Sequence, residues 1–389
     1  MAAGALIAIA PLLAACGSSG SSAAASSHNK APITIGTIGA FSGPDASTGD
    51  ANTAVLAYFK ALNAKGGIDG HMVNVLKGDD QYNSALTPGI ARKLLPKVAA
   101  FCGVNGTPNN IAIQALLAQS KVPNIAPATG AAALTKPVSP TQYVVVADYG
   151  RLSTGLVDYA VKKLHKTRIA LLYINGDAGA PALAGVKSEA AKDGAALVSA
   201  QSYDLSDTTL SAQMAKIKAA NPDFVIAESV SQGFALAVNT AHQIGLDTTW
   251  GNLFFGGTPQ FAQLTHNSTS GRAYISTFLN QPSEPSSEQA IATIQKYYSS
   301  IPDADAQALQ GWTLADACAA VIKKTLDSGE AVTSANLIKT ANNFSLDDTF
   351  VHGLKWTPQD HAGVTQYAIL KQQGANFVPV TGFKESAAY

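Results

Sequence analysis

The chain has 389 residues, of which 47% are hydrophobic and only 13% charged, and its 26 Lys and Arg balance 26 Asp and Glu for a formal net charge of zero. That balance excludes the electrostatic footprint of a nucleic-acid-binding protein, or of one held on an anionic membrane by charge. No apolar stretch beyond the amino end approaches the ~20 residues that a membrane-spanning helix needs, whereas the length suffices for two lobes, each with its own core.

The amino end reads LLAACGSSGSSAAASSHN. The apolar run from Ala2 to Ala15 is too short to cross a bilayer and has the length of a signal-peptide core. Leu13, Ala14, Ala15, Cys16 and Gly17 resemble a bacterial lipobox, a large apolar residue and two small ones before the cysteine that receives the lipid. Residues 1–15 are therefore expected to be a removed signal peptide, Cys16 the lipidated residue, and residues 16–31 a flexible tether too polar to bury a core. No Lys or Arg precedes the apolar run, a departure that a start upstream of Met1 would account for. The alternatives are an ordinary secretory signal with an incidental cysteine and a disordered cytoplasmic end. With Cys16 lipidated, Cys102 and Cys318 remain as an even pair, for which a disulfide and two buried free thiols are both open.

From Ile33 onward, short β-rich runs alternate with helical patterns, the mark of parallel sheets covered by helices. A first strand through Ile33, Ile35 and Ile38 leads to the loop Phe41 to Pro44, and a helix from about Gly49 to Ala64 carries Val55, Leu56, Phe59 and Leu62 on one face. Gly66 and Gly67 end it. Met72 to Leu76 is a strand, Ser84 to Leu95 a helix and Val98 to Cys102 a strand. The alternation resumes with strand Arg168 to Ile174, helix Ala182 to Asp193 and strand Ala196 to Tyr203. A helix carrying Leu210, Met214 and Ile217, with Asp207 as its cap, then leads to strand Phe224 to Ala227 and helix Gln232 to Ile244. After a Pro- and Ser-rich crossing from Gln281 to Ser287 come three helices without intervening strands, around Glu288 to Ser299, Ala306 to Leu326 and Ser334 to Ala341. Two strand-like runs, Thr365 to Lys371 and Phe377 to Val380, finish the chain. The break in alternation implies that the chain returns to its first lobe before ending on the second: residues 32–147 with 281–350 form lobe 1, and 148–280 with 351–389 form lobe 2.

Four blocks, LNAKGGIDGHMVNVLKGDDQ (Leu62 to Gln81), FSGPDASTG (Phe41 to Gly49), PNIAPATGAAALT (Pro123 to Thr135) and MAKIKAANPDF (Met214 to Phe224), resemble the type I periplasmic solute-binding proteins of the branched-chain amino acid transport family. The resemblance runs in order along the whole chain from Ile33. It implies two doubly wound α/β lobes with parallel sheets, joined by three crossovers, a small ligand enclosed between them and an ABC transporter permease as the partner that receives it. It implies no cofactor, no metal and no nucleic acid.

In open parallel sheets, ligands gather at the carboxyl ends of strands. Here the strand ending at Cys102 runs into Gly103, Val104, Asn105, Gly106, Thr107 and Pro108, with Thr107 suited to cap the following helix and Pro108 to its first position. Backbone N–H groups at such a helix start hold an anion such as an amino acid carboxylate, and the family places carboxylate-binding serines at the positions matched by Gly106 and Thr107. Ala128 and Thr129 match the second contact segment, and Ser42 and Thr48 the first loop. In lobe 2 the chain departs from its relatives: Asn175, Gly176, Asp177, Ala178 and Gly179 stand where they carry an aspartate, an aromatic and a glycine, so Ala178 replaces the ring that stacks on the ligand. The acid that meets the ammonium near Asn252 to Phe255 is missing from NLFF. Glu228, with Ser229 beside it, and Asp177 are the candidate substitutes, and Phe254, Phe255, Trp250 and Tyr149 the candidate apolar lining. The ligand is thus open among an amino acid, an amide and another small carboxylate. A sensor signalling to a membrane partner would use the same fold, and an anchored enzyme is the remaining rival. The seven histidines show no HExxH spacing, and GxSxG, GxxxxGK[ST] and GxGxxG motifs do not occur.

Overall fold

The computed structural model describes residues 30–43, 46–301 and 306–389. Cys16, the expected signal peptide and nearly all of the expected tether lie outside them. The first sheet is parallel throughout and has the order β2-β1-β3-β4-β5, from β1 (Lys30–Gly39), β2 (His71–Asp79), β3 (Ala100–Cys102), β4 (Asn124–Ile125) and β5 (Gln142–Tyr143). Its covering helices are α1 (Asp50–Ala64), α2 (Thr87–Leu94) and α3 (Thr107–Ser120). Val55 and Phe59 turn the apolar stripe of α1 onto Ile33 and Ile35 of β1, all buried, and each such fully buried large side chain contributes about 1.5–3 kcal/mol. Gly66 and Gly67 follow α1 with φ of 102° and 75°; at Gly67 even a methyl group would lie 2.0 Å from the His71 carbonyl oxygen, so glycine is required there.

The second sheet begins with α4 (Tyr149–Lys162) and runs through β6 (Arg168–Ile174), α5 (Gly179–Lys192), β7 (Ala196–Tyr203), α6 (Ser211–Ala219), β8 (Phe224–Glu228), α7 (Ser231–Gln243), β9 (Thr249–Leu253), α8 (Pro259–Leu264) and β10 (Ala273–Thr277). The chain then returns to the first lobe as α9 (Glu288–Tyr297), α10 (Ala306–Asp327) and α11 (Ser334–Ala341). A two-stranded ribbon, β11 (Phe344–Leu346) with β12 (Leu354–Trp356), follows them, and β13 (Gln366–Gln373), β14 (Asn376–Pro379) and β15 (Lys384–Glu385) complete the second sheet. Its order is β14-β13-β10-β9-β8-β6-β7, parallel from β7 to β10 and antiparallel beyond.

α10 packs along α1 and β3, and Cys318 on α10 is joined to Cys102 at the end of β3 by a disulfide, with Cα atoms 6.2 Å apart and a sequence separation of 216. Of the two open alternatives for these cysteines, the bond is the one the fold makes. It fastens the returning helices to the first sheet, as does the Ser334 hydroxyl, which donates to the Ala99 carbonyl at 2.8 Å.

Three stretches connect the lobes and lie together. Val144 N–H donates to His361 C=O and Val364 N–H to Val145 C=O, both at 3.0 Å, so the passage before α4 runs beside the one after β12. Asn280, in the passage after β10, donates through Nδ2 to Thr349 C=O, and its Oδ1 meets His352 Nε2, both at 2.7 Å.

Two local expectations are corrected. Asp207 does not cap α6: its carboxylate accepts from Asp204 N–H, closing a turn, and α6 begins after Leu210 without a side-chain cap. Thr107 is the first residue of α3, after an N-cap at Gly106, and Pro108 is the second. Among the described residues, no helix is long and apolar enough to cross a membrane.

Candidate functional site

The carboxyl ends of β1, β3 and β4 converge on one framework. Asn52 of α1 donates through Nδ2 to Gly103 C=O at 2.7 Å, Ile38 C=O at 3.1 Å and Thr37 Oγ1 at 2.9 Å. Asn105 N–H donates to Ile38 C=O and Ala128 N–H to Val104 C=O, which lays the loop after β3 against the loop after β4. Asp80, fully buried just beyond β2, accepts from Asn109 Nδ2 at 2.7 Å, Thr87 Oγ1 at 2.9 Å and Tyr82 N–H at 3.1 Å. One carboxylate thereby fixes the starts of α2 and α3 and the left-handed turn at Gln81 and Tyr82. Tyr82 lies against Gly106, whose φ is +88° and where a methyl group would come within 2.9 Å of the ring. No other residue type fits that backbone without strain.

These loops form one wall of a cleft of about 340 Å³, and the ends of β6, β8 and β9 with their following loops form the other. Thr48, Asn105, Gly106, Thr107 and Ala128 line it from the first lobe; Tyr149, Asp177, Ala178, Glu228 and Phe254 line it from the second. Three of the expected residues stand behind the wall. Ser42 donates to Asp79 at 2.6 Å on the exposed side. Thr129 is buried, bonding the Thr107 hydroxyl at 2.7 Å and receiving the Tyr149 hydroxyl at 3.3 Å. Ser229 bonds the Tyr203 hydroxyl and is held by Asn252, which accepts from its N–H and donates to its C=O. Trp250, offered as apolar lining, is buried against Phe234 in the second core.

The cleft also takes in Tyr82, Ile111, Ile174, Leu205, Val230, Phe255, Gln307 and Gln310. Most of these carry no local signal, since helices and loops far apart in sequence bring them together. The two glutamines enter from α10, whose helical pattern was legible although the face it presents to the cleft was not. The aromatic cluster is ordered by edge-to-face contacts: Tyr149 with Phe255 at 5.3 Å, Phe255 with Phe254 at 5.1 Å and Phe254 with Phe278 at 5.0 Å. Tyr149 opens α4, whose N-cap Asp148 accepts from Gly150 and Arg151 N–H, and its bonds to Thr129 and to Gly130 C=O fasten the start of α4 to the loop after β4.

Glu228 ends β8 with no exposed surface. Its Oε2 accepts from Ile174 N–H at 2.8 Å, whereas its Oε1 has no partner among the described residues. Loss of water raises its pKa to about 7, the single backbone bond opposing this incompletely. Burial likewise raises the pKa of Tyr149. Among the described residues lining the cleft, none is Lys, Arg or His.

The arrangement is a cleft of small-molecule size between two lobes, and among the described residues that line it no nucleophile is paired with a base. Asp158, Glu189 and Asp193, on and just beyond α4 and α5, could offer a metal three carboxylates away from the cleft, but Lys162, Lys192 and Lys384 already pair with them.

Comparison with known proteins follows this geometry. The family described as periplasmic binding protein matches residues 32–376. No curated protein sequence matches. Among solved structures, a fatty acid ABC transporter substrate-binding protein from Thermomonospora curvata superposes with a TM-score of 0.82 at 21% identity, over 91% of this chain and 92% of that one. A branched-chain amino acid ABC transporter protein from Thermus thermophilus with bound valine gives 0.79 at 20%, over 92% and 97%. The branched-chain amino acid transporter substrate-binding protein from Streptococcus pneumoniae in complex with isoleucine gives 0.75 at 16%, over 92% and 99%. At these identities the likeness is one of fold, two α/β lobes with parallel sheets, whereas the family match extends over most of the sequence. The chain belongs to the periplasmic binding protein family.

Proposed function

We propose that this protein is an extracytoplasmic solute-binding protein, anchored through lipidated Cys16, that captures a small organic molecule by closing its two lobes and hands it to an ABC transporter permease. The observation that carries the reading is the cleft itself. It lies at the carboxyl ends of both sheets and is lined by both lobes. Division of the chain into 32–147 with 281–350 and 148–280 with 351–389 supplies the two moving bodies, with the three adjacent connections as the hinge. Ligand that bridges both walls binds the closed form more tightly and shifts the population toward it. The Glu228 carboxylate stands in for the acid missing after β9, and the space above Ala178 replaces a stacking ring.

The test is a thermal-shift panel of amino acids, amides, amines, carboxylates and sugars. A ligand at 100 times its Kd stabilises by about 2.7 kcal/mol, a shift of a few degrees in a protein of this size. Gly106→Trp and, as a milder block that leaves φ unstrained, Ala178→Trp should abolish the hit. A hit that survives both places binding outside this cleft and ends the proposal. Sensing through a membrane partner uses the same capture step and differs only in what the closed form touches.

A further inference from the structure

The polar equipment of the cleft is lopsided. The first wall offers an anion only neutral groups: the Thr107 hydroxyl is bonded to Thr129, the Asn105 amide donates to Thr48 C=O, the backbone N–H groups that open α3 carry no full charge, and Pro108 has no N–H to offer at the second position of α3. The amides of Gln307 and Gln310 are neutral, and no cationic side chain reaches the wall among the described residues. Opposite them stands Glu228, and its Oε1 is the one buried, unpartnered side-chain atom that the described lining residues contain. Asp177 adds a second carboxylate at the exposed rim. Between them lie the faces and edges of Tyr149, Phe254 and Phe255.

A buried carboxylate with one oxygen unsatisfied is unfavourable until a donor reaches it, and aromatic faces favour a cation beside them. Opposing this is the amino end of α3, whose dipole would favour a carboxylate. The dipole is a partial charge at the cleft wall, whereas Glu228 once ionised is a full charge with no water, so the stronger unmet demand is for a positive donor. Resting on the reading of this cleft as the solute site, the geometry points to an organic ammonium ion with an apolar body as the ligand class, its ammonium on Glu228 and its body among Tyr149, Phe254, Phe255 and Ala178, with no carboxylate required.

Two ligand series, each sharing one body, test this on the full chain by titration calorimetry at pH 8, above the value of about 7 to which burial raises Glu228. The first is phenethylamine, phenylalanine and 3-phenylpropanoate, and the second is pentylamine, norleucine and hexanoate. The expected result is that in at least one series the amine binds at least as tightly as the amino acid and at least tenfold more tightly than the acid. Glu228→Gln, which keeps the side chain's shape, should then weaken the amine at least tenfold and leave the melting temperature of the unliganded protein the same or higher. An amino acid or acid that binds more tightly than its amine overturns the inference; if that binding is lost in Ala178→Trp, the cleft remains the solute site. Absence of binding in both series overturns the inference as well, and the wider panel then decides the cleft reading independently.

Discussion

The two walls of the cleft are built on opposite terms. On the first-lobe side the polar side chains that shape the loops are tied to neighbouring loops, and the two buried oxygens left without a partner in this framework, Asn52 Oδ1 and Asn109 Oδ1, belong to residues that do not line the cleft. Asn52 gathers the ends of β1 and β3, Asp80 gathers α2, α3 and the Tyr82 turn, and Thr107 is closed onto Thr129. On the second-lobe side the corresponding rim, Asn175 to Gly179, is short-chained. Leu205 lies largely exposed at the cleft, and Glu228 keeps an oxygen without a partner. A satisfied wall is a scaffold and an unsatisfied one is a receptor for what it lacks, so ligand choice is expected to reside in the second lobe and rigidity in the first.

The disulfide offers the largest perturbation confined to one side. It closes a loop of 216 residues in sequence separation, for which the chain-entropy relation gives about 5 kcal/mol. Cys102→Ala with Cys318→Ala should lower stability by up to that amount, with amide exchange accelerating first in β3 and α10 while β6 and β8 hold their protection. Equal loss of protection in both sheets would show the lobes to be one cooperative unit and erase the distinction between them. Asp80→Ala is the next largest. It strands two donors, the Asn109 amide and the Tyr82 N–H, at about 1–3 kcal/mol each, while the Thr87 hydroxyl keeps the Asn83 carbonyl at 3.3 Å, so a loss of about 3 kcal/mol in urea titration is expected. Asp80→Asn, which keeps one acceptor, should recover part of it. A loss below about 1 kcal/mol would mean that the Tyr82 turn holds itself.

How much of this was readable beforehand follows the same divide. Strands β6 and β7 fall where their apolar patterns place them, the loop Asn105 to Thr107 is marked locally by glycine, proline and a strand end, and Thr48 and Ala128 were picked out by the family resemblance. β3 falls inside the run Val98 to Cys102, whereas β5, with two residues, is too short for a periodic pattern and the ribbon of β11 with β12 gave none at all. Tyr82, Ile111, Leu205 and Gln310 reach the cleft through packing between elements far apart in sequence, which no window of neighbours contains. Asp207 was assigned to a helix start because an acid before a periodic run favours a cap; the turn with Asp204 won it instead. Glu228 was legible as an acid at a strand end, but its burial, which gives it meaning, was not.

That burial predicts a pH effect with a definite sign. Glu228 rises from 4.5 to about 7 on folding, so the folded chain keeps a proton that the unfolded chain releases. Its contribution is unchanged below about pH 4.5, becomes steadily more unfavourable as pH rises, and levels off above about pH 7, a loss of about 3 kcal/mol. The groups facing it are the Ile174 N–H and the Tyr149 and Tyr203 hydroxyls, whose pKa values burial raises further above this range, so none of them titrates with it. Glu228→Gln should therefore match the parent at pH 4 and exceed it at pH 8. Parallel stability curves for the two proteins would show that Oε1 finds water or a donor in solution, removing the contrast between the walls at its central residue.

Thr107→Ala probes the satisfied wall with the smallest change. The hydroxyl meets Thr129 at 2.7 Å in a nearly inaccessible position, and its loss leaves the Thr129 oxygen with the Tyr149 hydroxyl and the Ala131 N–H. Both remaining partners donate to Thr129, so its buried hydroxyl proton loses its acceptor, and the expected cost is about 1–3 kcal/mol of stability. Affinity should fall by no more than about fivefold, and only through the Tyr149 bond to Thr129; Thr107→Ser should restore both. A drop of a hundredfold in affinity with stability unchanged would mean that Thr107 turns from Thr129 to the ligand on closure, and the first wall would then be a receptor as well as a scaffold.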